Sequence, residues 1–185
     1  MSTFDHEAFW SARYRDVGDE YLFGTAPNKF LASQGGLFGP GMRVLSVADG
    51  EGRNAVWLAE QGCEMRATEI SPVAQEKCAK LARARHVAVD LVQADILNWT
   101  WPQAEFDAVV AIFIQFATPE ERPRLFDGMK AAVKPGACCC SRATRRNSWN
   151  TEPAGRQPWK TSIPPGCCER CSPIGRSFCC ANTKT

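Results

Sequence analysis

Two glycines and an acid are the residues of this chain whose types and spacing could do chemistry: Gly50 and Gly52 within Met42–Asn54, and Glu69, 19 positions after Gly50. Glycine has no Cβ, so the backbone at such a turn can take a positive φ and approach a ligand closely. The helix that follows begins with unpaired N–H groups directed at the same place. Glu69 ends the apolar run Met65–Thr68. A carboxylate there can accept two hydrogen bonds from ribose hydroxyls, and a separation of about 20 residues is what one strand–helix–strand unit requires. The set reads as a crevice for a nucleoside. The bland alternative is a tight strand-to-helix turn of any α/β protein, which leaves Glu69 and a further acid, Asp95, without a purpose.

The turn is not a dinucleotide fingerprint of the G-x-G-x-x-G kind, because it reads Ala48-Asp49-Gly50-Glu51-Gly52-Arg53-Asn54. Two acids beside it, Asp49 and Glu51, would repel a phosphate. That argues against NAD, FAD or ATP and for a ligand with a cationic amino-acid end and no phosphate.

Alternating strands and helices must position these residues. Asp5–Arg15 reads as an amphipathic helix and Asn28–Gln34 as a second, with Asn28 as its cap. Met42–Ala48 is the first strand and Arg53–Gln61 its helix; Glu64–Glu69 is the second strand, and Ser71 caps a helix to Ala84 with Pro72 in its first position. Val87–Gln93 is a third strand, Phe106–Phe113 a fourth that is too apolar to be half exposed, and Pro119–Val133 the next helix. This order implies a parallel sheet with right-handed crossovers, an α/β, Rossmann-like, doubly wound and mostly parallel arrangement.

Val44–Gly62 resembles the first motif of class I S-adenosylmethionine-dependent methyltransferases, in the branch similar to tellurite-resistance and thiopurine methyltransferases. Phe9–Leu31 resembles that branch's cap segment, Ala67–Ala74 its ribose-binding acid turn and Val92–Trp99 its adenine-side turn. Phe106–Phe116 and Thr118–Ala137 resemble its fourth strand and the helix after it. One departure is visible: where the motif has D-x-G-x-G, this chain has Ser46-Val47-Ala48-Asp49-Gly50, so the acid at the strand's end is lost and another appears three positions later.

The resemblance implies S-adenosylmethionine as cofactor and methyl transfer to a small-molecule acceptor. Asp49, Gly50, Gly52 and Asn54 would line the methionine and ribose, Glu69 would hold the ribose hydroxyls, and Ile70, Asp95 and Ile96 would bracket the adenine. Gln115 and Phe116 would face the methyl group and acceptor. Trp10, Arg13, Tyr14, Tyr21, Phe23 and Gly24 would form a lid whose aromatic faces suit a cationic sulfur. Methyl transfer from a sulfonium to a soft nucleophile needs alignment more than acid–base help, which accords with a chain that has no histidine–carboxylate pair and no metal cluster in its sequence. His6 and His86 read as isolated surface or helix residues, and Trp10 and Tyr14, at i and i+4, serve core packing equally well. Asp95 could simply cap a turn.

After Ala137 the composition changes. Eight of the ten cysteines lie in residues 138–185, which hold no Leu, no Val and two Ile; the net charge is +6 there and −4 in residues 1–137. A fifth, apolar strand should follow Lys134–Ala137, but Cys138-Cys139-Cys140 follows instead. Cysteine codons are TGT or TGC, so a cysteine that follows a cysteine becomes leucine one nucleotide earlier. This holds for Cys139, Cys140, Cys168 and Cys180; Phe178 likewise converts Cys179 to leucine, and Trp149 and Trp159 convert Asn150 and Lys160 to glutamate.

The expectation is a frameshift near codon 137: an incomplete methyltransferase domain over 1–137, and an aberrant tail over 138–185, disordered or misfolded, whose loss of later strands leaves strand four as a bare edge and the protein marginally stable. Cys168-x-x-Cys171 is half of a zinc site without a second half, and Met1–Trp10 lacks the apolar segment of an export signal that a disulfide framework would need.

One domain, cytoplasmic, with no membrane span, no metal, no nucleic-acid partner and a monomeric or weakly dimeric state is the expected organisation. Cys63 and Cys78 read as small hydrophobes of a reduced protein. Two other classes stay open: a non-catalytic S-adenosylmethionine binder and, further off, an NAD-dependent oxidoreductase.

Overall fold

Strands rich in Val, Leu and Ala with no polar alternation belong in a sheet covered on both faces, and that is where the chain puts them. The computed structural model describes residues 4–114, 116–142 and 177–179. Its strands are β1 Arg43–Val47, β2 Glu64–Glu69, β3 Val89–Gln93, β4 Phe106–Ile112, β5 Val133–Arg142 and β6 Ser177–Cys179. They form one sheet in the order β3-β2-β1-β4-β5-β6, with the first five parallel and β6 antiparallel to β5. The helices are α1 His6–Asp16, α2 Lys29–Ser33, α3 Arg53–Glu60, α4 Pro72–Ala84 and α5 Arg122–Ala132. No helix among the described residues is long and apolar enough to cross a membrane.

The side chains of the central strands split between the two faces. Leu45, Val47, Val109 and Ala111 meet Leu125 and Met129 of α5 on one face, while Val44, Ala108 and Val110 meet Ala55 and Leu58 of α3 and Leu31 of α2 on the other. This two-sided burial, at about 25 cal/mol per Å² of apolar surface removed from water, is what holds the sheet at its centre. Local caps set the helix starts: Asp5 accepts from Ala8 N, Asn28 from Phe30 N and Ser71 from Ala74 N.

The N-terminal segment is fastened across the top of the sheet by contacts far apart in sequence. Ser11 Oγ and Ser71 Oγ share a buried hydrogen bond of 2.8 Å, and Lys77 Nζ donates to the carbonyls of Tyr14 and Glu20 at 2.7 Å each. These bonds bring α1 over the carboxyl ends of β1 and β2.

Strand four is not the bare edge expected from the sequence. β5 continues through Ala137 and pairs Cys138–Arg142 with Ala108–Ile112, after a register shift between Phe106 and Ala108; β6 then pairs with Cys140–Arg142. Ladder pairing uses backbone N–H and C=O groups that every non-proline residue carries, so the cysteines do not prevent it. Residues 143–176 and 180–185, where the rest of the aberrant tail was expected, lie outside the described residues.

Candidate functional site

At the carboxyl end of β1 the chain turns sharply. Gly50 and Gly52 have φ of +66° and +91°, the conformation glycine takes without strain, and Gly52 is the residue before α3. Glu69, at the end of β2, reaches back to this turn: its Oε2 accepts the Gly50 N–H at 2.9 Å and its Oε1 the Ser71 N–H at 3.0 Å. Each oxygen keeps a second lone pair. Burial raises the Glu69 pKa, and the N–H bonds from Ser71 and Gly50 pull it partly back.

The turn opens onto a cleft of about 800 Å³, counting its mouth. Of the residues expected there, Trp10, Tyr14, Phe23, Asp49, Gly50, Asn54, Glu69, Ile70, Asp95, Ile96 and Phe116 line it. Asn54 is fixed by accepting the Asn28 N–H at 2.9 Å. Asp95 also takes the turn-capping role, since its oxygens accept Leu97 N at 3.0 Å and Asn98 Nδ2 at 2.6 Å.

Four expected residues lie elsewhere. Gly52 faces α4: a Cβ there would sit against Cys78 Sγ and 2.9 Å from the Cys78 Cβ, so its bareness serves helix packing and not the approach of a ligand. Tyr21 donates its hydroxyl to the Lys77 carbonyl at 3.1 Å and packs beside the Val56, Cys78 and Leu81 cluster. Arg13 lies over the outer rings of Phe9 and Trp10, 5.5 and 5.7 Å from their centroids, and neither it nor Gly24 lines the cleft. Gln115 lies outside the described residues.

The acidity of the turn is distributed differently from the sequence expectation. Glu51 points to α4, where Lys77 Nζ pairs with its Oε1 at 3.0 Å, so the acids that face the cleft beside the turn are Asp49 and Glu69. Asp49 Oδ1 accepts from Ser46 Oγ and Oδ2 from Ala55 N at 3.3 Å. The acid missing from position 46 is thus replaced by a hydroxyl that bonds the acid at 49. Burial pushes the Asp49 pKa up to about 7, against the pull of Ser46 and Ala55 and with a smaller push from Glu69.

Between the ordinary 3.8 and about 7 the folded protein holds a proton on Asp49 that the unfolded chain does not, so this group's contribution to stability falls as pH rises through that interval. Asp49→Asn should remove that slope. Urea midpoints measured at about pH 5 and about pH 8 should then move in the variant's favour on going alkaline; parallel curves would mean that the carboxyl titrates normally.

Tyr14 is buried with its hydroxyl over the turn, where a Cβ on Gly50 would stand 2.9 Å from it. Burial, and then Glu69, Glu51 and Asp49, raise its pKa strongly, so the hydroxyl stays protonated and can act as a donor.

Sequence reasoning missed His6, Ala48, Arg53, Ala94, Ile112 and Phe113, all of which line the cleft. Arg53 donates to the Phe23 carbonyl at 3.1 Å and lies 5.5 Å over the Phe23 ring, closing one wall; its place right after Gly52 was the available signal. His6, read as a surface or helix residue, is the first residue of α1, and its ring sits 5.5 Å from that of Phe116. Nothing local marks it, because only the fastening of α1 to α4 brings it there. Ala48 and Phe113 hold φ of +50° and +65°, unusual for residues with side chains, at the ends of β1 and β4.

The family described as a methyltransferase domain matches residues 44–136. An uncharacterized protein of Mycobacterium tuberculosis is 26% identical over 133 residues, 71% of this chain and 47% of its own length, so the chain spans about half the length of this curated relative. A solved structure described as the conversion of a disulfide bond into a thioacetal group during echinomycin biosynthesis has a TM-score of 0.66 and 22% identity, over 74% of this chain and 59% of that one. A phosphoethanolamine N-methyltransferase of Haemonchus contortus, solved with phosphomonomethylethanolamine and S-adenosylhomocysteine, has a TM-score of 0.61 and 21% identity, over 75% of this chain and 35% of that one. The structural likenesses establish the fold.

Proposed function

The chain belongs to the methyltransferase-domain family, and from that premise we propose that its cleft binds S-adenosylmethionine and directs methyl transfer to a small-molecule acceptor. The observation that carries this reading is the Glu69 carboxylate held against the Gly50 N–H at 2.9 Å at the edge of the cleft, the position from which an acid can receive ribose hydroxyls. The groups present fit such a ligand. Glu69 retains lone pairs, Gly50 leaves a cradle under Tyr14 that a Cβ would fill, and in this reading Asp49 would accept from the ammonium and Tyr14 would donate to the carboxylate of an amino-acid end. Asn54 would sit beside the ribose, and Ile70, Asp95 and Ile96 would enclose the adenine. Trp10 offers a ring face to a positive sulfur.

Bound there, the cofactor supplies a sulfonium methyl group. The protein's part is to orient it and keep the reacting end dry: Trp10 and Tyr14 stack at 5.9 Å over the turn, and Arg53 ties the Phe23 segment across the opening. The resemblance of Phe9–Leu31 to the cap of the tellurite-resistance and thiopurine branch supports that branch as our finer reading. The forced leucines at Cys139, Cys140, Cys168, Cys179 and Cys180 support a frameshift near codon 137, which resequencing of the gene across that codon tests directly.

Calorimetry on the full chain tests the cofactor. S-adenosylhomocysteine should bind with measurable heat, and NAD should give no heat at the same concentration. NAD binding with S-adenosylhomocysteine inert would replace this reading with the oxidoreductase one. Binding without transfer of labelled methyl to any acceptor would identify a non-catalytic binder.

A further inference from the structure

Away from the β1 turn the lining of the cleft changes from carboxylates to rings. Phe113 and Phe116 follow β4, His6 lies 5.5 Å from Phe116, and Phe4 lies 4.8 Å from His6 in an edge contact. Phe4 and Phe113 are 59% and 37% exposed, so the run opens to solvent, while Phe116 also packs against the core. Phe113 is presented there by a backbone φ of +65°, a strained conformation for an aromatic residue and one that concentrates at ligand sites.

The run contains one nitrogen base, the His6 imidazole, which lines the cleft and makes no hydrogen bond to any described residue. The carboxylates of the cleft already receive hydrogen bonds, Asp49 from Ser46 Oγ and Ala55 N, Glu69 from Gly50 N and Ser71 N, and Asp95 from Leu97 N, whereas His6 receives none from the described residues. A small soft anion would use neither feature. It arrives deprotonated, needs no base, and would lose its water to rings that offer no donors.

We propose that this outer part of the cleft takes a planar aromatic acceptor carrying a hydroxyl group, and that His6 is the catalytic base that accepts the hydroxyl proton. The inference rests on the methyl-transfer reading above and names the class of its acceptor. The acceptor oxygen forms a bond to the methyl carbon while the carbon–sulfur bond breaks, and its electron pair returns to sulfur, which becomes a neutral thioether. The hydroxyl proton passes to the free ring nitrogen of His6 and then to solvent. Phe113 and Phe116, which line the cleft, would hold the acceptor ring by offset or edge contacts.

The test uses the full chain, methyl-labelled S-adenosylmethionine and four acceptors: naphthol, thionaphthol, mercaptoethanol and tellurite. Naphthol should be methylated with kcat/KM at least about 10-fold above mercaptoethanol and tellurite, and His6→Asn should lower its kcat about 100-fold. The loss on thionaphthol, which ionises without help, should be at least about 10-fold smaller. Without turnover, the fluorescence of naphthol should report binding that Phe113→Ala weakens about 10-fold while S-adenosylhomocysteine affinity holds.

Preference for tellurite or mercaptoethanol, no transfer to naphthol by a chain that binds S-adenosylhomocysteine, or equal His6→Asn losses on both naphthyl acceptors would each overturn the inference and leave the cofactor reading standing. Failure of the unaltered chain to bind S-adenosylhomocysteine would sink both.

Discussion

Glu69→Gln is expected to weaken S-adenosylhomocysteine binding about 100-fold, close to 2.7 kcal/mol. The wild-type carboxylate serves two buried backbone donors, Gly50 N and Ser71 N, one on each oxygen, and has lone pairs left for a ligand. An amide offers only one acceptor atom. Its NH2 group must then face one of the two backbone N–H groups, donor to donor, or turn toward the ligand's hydroxyls. A hydrogen bond to a charged partner contributes about 1.5–3 kcal/mol, and an unsatisfied buried donor costs about 1–3 kcal/mol. The second of these also appears as a lower urea midpoint, so calorimetry and denaturation must be run on the same preparation. If the variant binds within about twofold of wild type while losing stability, Glu69 organises the turn and does not grip a ligand.

Gly52→Ala should be the more damaging change to the fold. Its φ of +91° lies where a Cβ is strained, which costs about 1–2 kcal/mol, and the new methyl would overlap Cys78 Sγ and lie 2.9 Å from the Cys78 Cβ. Overpacking of this kind costs about 1–3 kcal/mol, so a total of about 2–5 kcal/mol is expected. Cys78→Ala should recover part of it when combined with Gly52→Ala, and the double-mutant cycle should show a coupling of about 1 kcal/mol or more. Additive effects would mean that α4 moves aside freely and that only the backbone conformation matters. Burial pushes the Cys78 thiol up to about 12, so the residue enters this argument as packing and not as a nucleophile.

The two variants separate the halves of one motif. Gly50 and Glu69 meet at the cleft, as their spacing foretold. Gly52 shares the motif's pattern but meets α4, and no sequence rule distinguishes a glycine bared for a ligand from one bared for a neighbouring helix. Glu51 and Tyr21 teach the same lesson. Each lies in a segment read as ligand-facing, and each is drawn to Lys77, Glu51 through the ammonium and Tyr21 through the backbone carbonyl. One lysine on α4 thus decides the orientation of residues that chain position alone would have given to the cleft.

What could be read from the chain was local. β2 and α4 have the bounds expected for them, Glu64–Glu69 and Pro72–Ala84, and Asn28 and Ser71 cap the helices they were expected to cap. Side-chain periodicity and capping hydrogen bonds act within a few residues, so the sequence carries them in full. The distance from Gly50 to Glu69 is of the same kind, because a strand, a helix and a strand of ordinary length leave little choice about where the second strand ends.

Which side chains face the cleft is a different matter. It depends on bonds between residues some 60 positions apart, such as Ser11 with Ser71 and Lys77 with the Tyr14 carbonyl, which lower α1 over the sheet and carry His6 and Trp10 to the mouth of the site. It depends equally on the ladder that sets Cys138–Arg142 beside β4, where composition alone promised an open edge. The sequence by itself determined the parallel α/β frame, the bare turn and the acid that meets it. Only tertiary contact decided that His6, Arg53 and Phe113 join them and that Gly52, Glu51 and Tyr21 do not, because facing is set by what packs against a side chain and not by the residues on either side of it.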